Sequence, residues 1–165
     1  MVNSQHYTSG LYTSSNDQGA EDFMVPEGKS WTVTEVDVTG QYQGRGPAAT
    51  ENVNFCEDKK GVPGYPVANG TFDNLKGADN GGSFAISLGN EVRLRAGTHG
   101  LRRGQCGFDR FRFLGWAETG TIKGYEAMWQ NPVGGSDTCA TWGKLENCVS
   151  GSPADFMFAL QGTSR

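Results

Sequence analysis

Carboxylates are the residues in this chain best placed by type to do chemistry. Glu21 and Asp22 stand side by side shortly after Asp17, and Asp37, Glu57, Asp58, Asp109 and Glu118 follow. Two carboxylates across a cleft, one holding a proton and one charged, are the machinery of glycoside hydrolysis. Spacing along the chain cannot place two of them across a cleft, and acidic residues in turns and on exposed strand faces are the ordinary case. The chain has no Gly-x-Ser-x-Gly elbow, no His-Glu-x-x-His pair and no phosphate-cradling glycine loop. It reads as non-catalytic, with a secreted hydrolase of polysaccharide or peptide as the minority alternative.

The same acids raise calcium. Asn16-Asp17, Glu21-Asp22, and the run from Asp73-Asn74 to Asp79-Asn80 put hard oxygen ligands beside glycine turns. Ca²⁺ takes sets of about six to eight such ligands. No loop carries a carboxylate at every second position with a terminal Glu, and Asp and Asn are good turn formers in their own right. The turn reading is favoured. A structural Ca²⁺ at Asp17, Glu21, Asp22 and Asp79 stays open, and no other cofactor is expected.

Aromatic and cationic side chains give two more candidates. Trp142 lies between Cys139 and Cys148, and an indole held there beside Tyr125 or Tyr65 would stack on a sugar ring. The competing reading, slightly favoured, folds Trp142 back to plug its own loop. Six of the eight arginines fall between Arg93 and Arg112, in an otherwise acidic chain. The stretch from His99 to Leu114 alternates poorly and supports three readings. It is a solvated basic loop, or an anion site in which Arg102, Arg103, Arg110 and Arg112 grip sulfate, phosphate or uronate. The third is a shifted reading frame, because the genetic code permits an alternating apolar strand across Gly100–Leu114 when each codon is read one base on.

Composition bounds what must position these groups. At 165 residues the chain is expected to form one domain over 1–165, burying about 70% of the surface its unfolded form exposes. Twenty-five glycines with 36% apolar and 11% aromatic residues describe a turn-rich β protein with a real core. The net charge of −4 makes it a poor general nucleic-acid binder. No run of about 18 apolar residues is present, so no membrane span is expected. The start, Met1-Val2-Asn3-Ser4, lacks the basic and apolar regions of a signal peptide, so a secreted form implies a leader ahead of this numbering.

Short alternating runs recur along the chain, separated by turn clusters such as Lys60-Gly61-Val62-Pro63-Gly64 and Gly77 to Gly82. No segment carries a 3.6-residue apolar stripe, so helix should be scarce. From Ala20 to Tyr42 the pattern predicts two strands joined by a tight turn at Val25-Pro26-Glu27-Gly28. Phe23, Val25, Trp31, Val36 and Val38 fall on the core side, with Phe23 and Trp31 expected to be deeply buried and the three valines mostly so. The apolar parity flips after Glu35, which predicts a β-bulge near Thr34-Glu35. Trp129, ahead of Gln130-Asn131-Pro132, is expected to close one end of the core.

This wording resembles an uncharacterised β-sandwich module of secreted and cell-surface bacterial proteins. The residues that carry the resemblance are Glu21, Asp22, Phe23, Val25-Pro26, Gly28, Trp31, Val36-Asp37-Val38 and Gly40. It continues through Trp129-Gln130-Asn131-Pro132, Cys139 to Cys148 around Trp142-Gly143, and Asp155 to Gly162. The resemblance implies a non-catalytic, extracellular sandwich and no particular ligand. In such a setting the turn-rich loop between Cys139 and Cys148 is expected to be closed by a disulfide, stabilising by roughly 2–3 kcal/mol. Cys56–Cys106 follows only by elimination.

The expected molecule is therefore all-β, an antiparallel, jelly-roll-like sandwich. It is expected to be a secreted or surface-attached binding or adhesion module whose partner is a glycan or cell-surface polymer. The alternatives are a carbohydrate-binding module proper, the hydrolase, or a fibre subunit assembling by strand addition at an open sheet edge. Oligomeric state is open.

Overall fold

The computed structural model describes residues 1–4, 6–7, 16–44, 47–48, 50–104, 107–108, 112–133, 139–153 and 155–165. In chain order they form β1 (Val2–Asn3), β2 (His6–Tyr7), β3 (Gln18–Val38), β4 (Gly40–Gly44), β5 (Glu51–Asp58), β6 (Pro63–Leu75), β7 (Ala78–Asn80) and β8 (Ser83–Gly104). There follow β9 (Gly107–Phe108), β10 (Arg112–Trp116), β11 (Glu118–Thr119), β12 (Met128–Gln130), β13 (Gly143–Lys144), one helical turn α1 (Leu145–Cys148), β14 (Asp155–Phe156) and β15 (Phe158–Ser164). The fold is all-β and sandwich-like, and helix is as scarce as the missing apolar stripe implies.

The main sheet runs β13-β12-β3-β8-β5-β6, with β15 also beside β3 and β7 also beside β8. A smaller sheet runs β1-β10-β4, β11 pairs β14, and β2 pairs β9 in parallel. The core lies between the main and smaller sheets. Val33, Val36, Val38, Phe84 and Ile86 come from the main sheet, and Val2, Leu114 and Trp116 from the smaller one. Tyr42 on β4 meets Phe84 on β8 edge-on at 6.2 Å, and Trp116 stacks on Phe156 at 4.4 Å. Trp129 closes one end as expected: it is 1% exposed, and its Nε1 donates to the Asn3 carbonyl at 2.9 Å.

The expected hairpin at Val25–Gly28 is a corner within one long strand. β3 pairs with β8 on both sides of it, Val25 opposite Gly97 and Ser30 opposite Arg95, so Pro26, Glu27, Gly28 and Lys29 all stand against Ala96. An extended strand rising ~3.3 Å per residue would set Gly19 and Thr39 roughly 65 Å apart. Yet the Thr39 N–H donates to the Met157 carbonyl at 3.2 Å, and a Cβ at Gly19 would touch the ring of the adjacent Phe156. β3 therefore folds back on itself and carries β8 round with it. Gly28 (φ 73°) and Gly97 (φ 133°) supply the positive φ on the two strands. The turn residues are where the sequence places them, but both arms bond to β8 instead of to each other.

The bulge is where the parity flip puts it. Against β8 the register jumps between Val33 and Glu35, and against β15 it slips between Gln161 and Gly162, leaving Thr34 unmatched on both sides. Val36 and Val38 return to the core after it, and Val25 is buried before it. Phe23 and Trp31 differ from expectation. Both are only half-buried, packed against the rim of the core, because the corner lifts their part of β3 away from the opposing layer.

Of the three readings of the basic stretch, the solvated loop is not what its described backbone forms. The backbone from His99 to Gly104 is a central part of β8, with Phe23 to Gln18 of β3 on one side and Glu57 to Val53 of β5 on the other. Arg112–Trp116 is β10, paired to both β4 and β1. Ladder hydrogen bonds come from the backbone, so polar side chains do not prevent the pairing. The side chains of Arg102, Arg103 and Arg112 lie outside the described residues, as does all of Arg110.

Cys139 and Cys148 are joined by the expected disulfide. Cys56 is fully buried, and the Cys56–Cys106 pairing lies outside the described residues because Cys106 does.

Candidate functional site

The fold-back of β3 opens a cleft. On the side of β3 away from β8, β12 covers Gln18–Ala20 and β15 covers Trp31–Val38. Between them, among the described residues, no strand is paired with residues 21–29 of β3 on that side. A cleft of about 760 Å³ sits against this stretch, with the Thr119–Gly124 segment and the start of β15 as its other walls.

One wall is aromatic. Phe23 and Trp31, on opposite sides of the corner, stack with centroids 6.0 Å apart and planes within 5°. Phe158 meets Phe23 edge-on at 6.3 Å, and Phe156 is also in the lining. The other wall is polar: Glu21, Asp22, Asp37 and Asp155, with Thr39, Thr119, Thr121 and Lys123. Asp37 accepts from Gln161 Nε2 at 2.7 Å.

The acids at the base of the cleft are held by backbone amides. Glu21 is 4% exposed; its Oε2 accepts from the Phe156 N–H at 2.7 Å and its Oε1 from the Asp22 N–H at 3.0 Å. Burial nevertheless pushes its carboxyl up to about 8, the two amides opposing the shift and the neighbouring Asp155 and Asp22 adding to it. Asp22 accepts from the Tyr125 N–H at 2.8 Å, and burial, with Asp58 and Asp155 nearby, raises its carboxyl to about 6. Gly124 lies so close that a Cβ there would collide with the Asp22 carboxylate.

Asp155 is 3% exposed. Its Oδ2 accepts from the Lys123 N–H at 2.6 Å. Its Oδ1 is fully buried, and the Ala127 backbone amide, like that of Lys123, favours the ionised form. Burial holds this carboxyl above the usual range, and Glu126 adds to the effect. Asp58 and Glu126 line a narrow cavity with Glu21 and Asp22, and Glu126 is ion-paired to Lys144.

A second cleft of about 730 Å³ shares Trp31 as its wall. Arg93, Arg95, Arg165 and His99 line it together with Glu57 and Glu91, and Arg93 is already bonded to Glu91 at 2.7 and 2.9 Å.

Of the residues singled out from sequence, the structure brings Glu21 and Asp22 together in the acidic cleft. Asp79 acts as a turn residue, accepting from the Gly82 N–H at 2.9 Å and from the Tyr42 hydroxyl at 2.8 Å. Asp17 is buried at the start of β3. Among the described residues, no group of three His, Cys, Asp or Glu side chains is placed to hold a metal ion. Tyr65 is 72% exposed under the Lys59 ammonium, and the Tyr125 ring covers Gly61. Trp142 is half-buried in the disulfide-closed loop, and the two clefts are lined by neither it, Tyr65 nor Tyr125.

Sequence reasoning missed Asp155, Lys123 and the cleft-facing role of Trp31. The signal within reach was Pro26 and Gly28 between Phe23 and Trp31, which marks a bend that brings two aromatics together. Compared with protein-family models, curated proteins and solved structures, the chain matches none.

Proposed function

We propose that the protein is a non-catalytic, extracellular glycan-binding module and that the acidic cleft is its binding site. The observation that supports this is the pairing of walls: parallel Phe23 and Trp31 rings on one side, carboxylates and threonine hydroxyls on the other. Pyranose rings offer apolar faces that stack on aromatic rings and hydroxyl edges that donate to carboxylates. The disulfide agrees with an oxidising compartment. Among the described residues, no helix is long and apolar enough to cross a membrane.

Glycan-array screening of the whole chain beside Trp31→Ala and Trp142→Ala is the test. The expected result is retention of a glycan class that Trp31→Ala loses and Trp142→Ala keeps. Loss only in Trp142→Ala would move the site to the disulfide loop. Release of reducing ends from a bound polysaccharide would replace binding by hydrolysis, the second reading, which draws on the proton-holding Glu21 beside Asp155.

A further inference from the structure

We propose that residues 120–126 form a pH-sensitive strap, closed against the acidic cleft in acid and released as pH rises through neutrality. The proposal goes beyond the glycan reading and stands or falls without it. The first observation is how the strap is held. Its ends are fixed where β11 pairs β14 and where β12 pairs β3. Between them, among the described residues, it makes no backbone–backbone hydrogen bond. The Thr121 N–H bonds locally, to Thr119 Oγ1 at 3.2 Å. The bonds that tie its backbone to other elements run to carboxylates, from the Lys123 N–H to Asp155 and from the Tyr125 N–H to Asp22.

The second is what lies beneath it. Asp155 is 3% exposed and Glu21 4%. Asp22 is half-buried, and the strap packs so closely on it that a Cβ at Gly124 would collide with its carboxylate. Asp58 at the end of β5 and Glu126 at the end of the strap stand behind Glu21 and Asp22. Of the nearby cations, Lys144 on β13 is committed to Glu126, and Lys123 is exposed. Around this group, Glu118 on β11 is paired with the Met1 ammonium, Asp37 accepts from Gln161, and His99 on β8 stacks on Phe23. Like charges gathered out of water destabilise one another, and more of them ionise as pH rises.

The direction follows from which effect is larger. Amide hydrogen bonds favour the ionised carboxylates, but burial is the larger influence on Glu21, Asp22 and Asp155 and holds all three above their ordinary range. A protonated carboxyl keeps an acceptor oxygen, so both strap bonds survive in acid. The closed state is therefore favoured while the acids hold their protons. That advantage is lost as pH climbs through about 6 for Asp22 and about 8 for Glu21, where opening lets water reach the charges. A segment with no backbone ladder of its own yields before the strands do.

Hydrogen exchange of the whole chain, followed by NMR and corrected to protection factors at each pH, tests this without any ligand. Protection of the Lys123 and Tyr125 amides should fall at least about tenfold between pH 5 and 8. The Val92 and Leu94 amides, in the ladder between β3 and β8, should lose much less. Asp22→Asn removes a charge at a half-buried position and keeps an acceptor for the Tyr125 amide. It should shrink the fall in strap protection several-fold.

Unchanged protection of the two strap amides across this range, or stronger protection at pH 8, would overturn the release. A parallel loss in Val92 and Leu94 would replace it by unfolding of the whole domain. An undiminished fall in Asp22→Asn would overturn the buried carboxylates as its cause.

Discussion

At the scale of single residues, two tryptophans on the same scaffold should respond differently to truncation. Trp129 is 1% exposed and hydrogen-bonded, so Trp129→Ala should cost about 3–5 kcal/mol. Trp31 is half-buried at the wall of two clefts. Its truncation should cost clearly less, about 1–2 kcal/mol, while abolishing glycan retention; urea denaturation of both variants checks the contrast. Glu21 supplies a pH dependence with a definite sign. Its carboxyl rises from an ordinary value of 4.5 to about 8 on folding, so the folded state holds the proton more tightly. The associated stability is complete below about 4.5 and is lost as pH climbs through about 8, a span worth on the order of 5 kcal/mol at most. Glu21→Gln should flatten the fall in denaturation midpoint between pH 5 and 8. A parallel fall in both proteins would locate the titration elsewhere.

At the scale of elements, the corner in β3 and β8 governs the site, because it sets Phe23 against Trp31 and leaves the gap between β12 and β15. Its two positive-φ glycines are not equivalent. A Cβ at either Gly28 or Gly97 meets open space, so the cost of substitution is purely conformational. Gly28, at φ 73°, lies in the left-handed region that other residues enter for about 1 kcal/mol, whereas φ 133° at Gly97 is a region almost confined to glycine. Gly97→Ala should therefore destabilise by about 2–3 kcal/mol, roughly twice the effect of Gly28→Ala, in matched thermal or urea melts. Equal effects would mean that β8 can relax at the corner while β3 cannot. Gly124 is constrained differently. It is held close by the Asp22 carboxylate, so Gly124→Ala should disturb the cleft by displacing the Tyr125 amide from Asp22.

At the scale of the whole molecule, the disulfide and the cleft are separable. The Cys139–Cys148 bridge braces β13 and α1, and neither element lines the acidic cleft. Reduction should lower global stability by roughly 2–3 kcal/mol and leave ligand affinity unchanged below the melting transition; loss of affinity on reduction under native conditions would show that the two regions are coupled. Much of this fold was legible in the chain. Period-2 alternation gave the all-β class, Pro26 and Gly28 marked the bend, the parity flip after Glu35 located the bulge, and turn formers around Trp142 pointed to the disulfide. Each of these is a local property, fixed by which φ and ψ a few neighbouring residues can adopt or by which face they bury. Whether the bend at Pro26 was a hairpin or a corner depended on what the arms paired with, and that partner, the Arg95–Gly97 part of β8, lies about 70 residues further along. The same distance hid the backbone pairing of His99–Gly104, whose hydrogen bonds carry no signature in side-chain type. The cleft needed both facts. Asp155 stands beside Glu21 only because β3 folds over and brings its two ends together, so the sequence determined which residues could bend and pair, and only long-range pairing decided which acids and aromatics would meet.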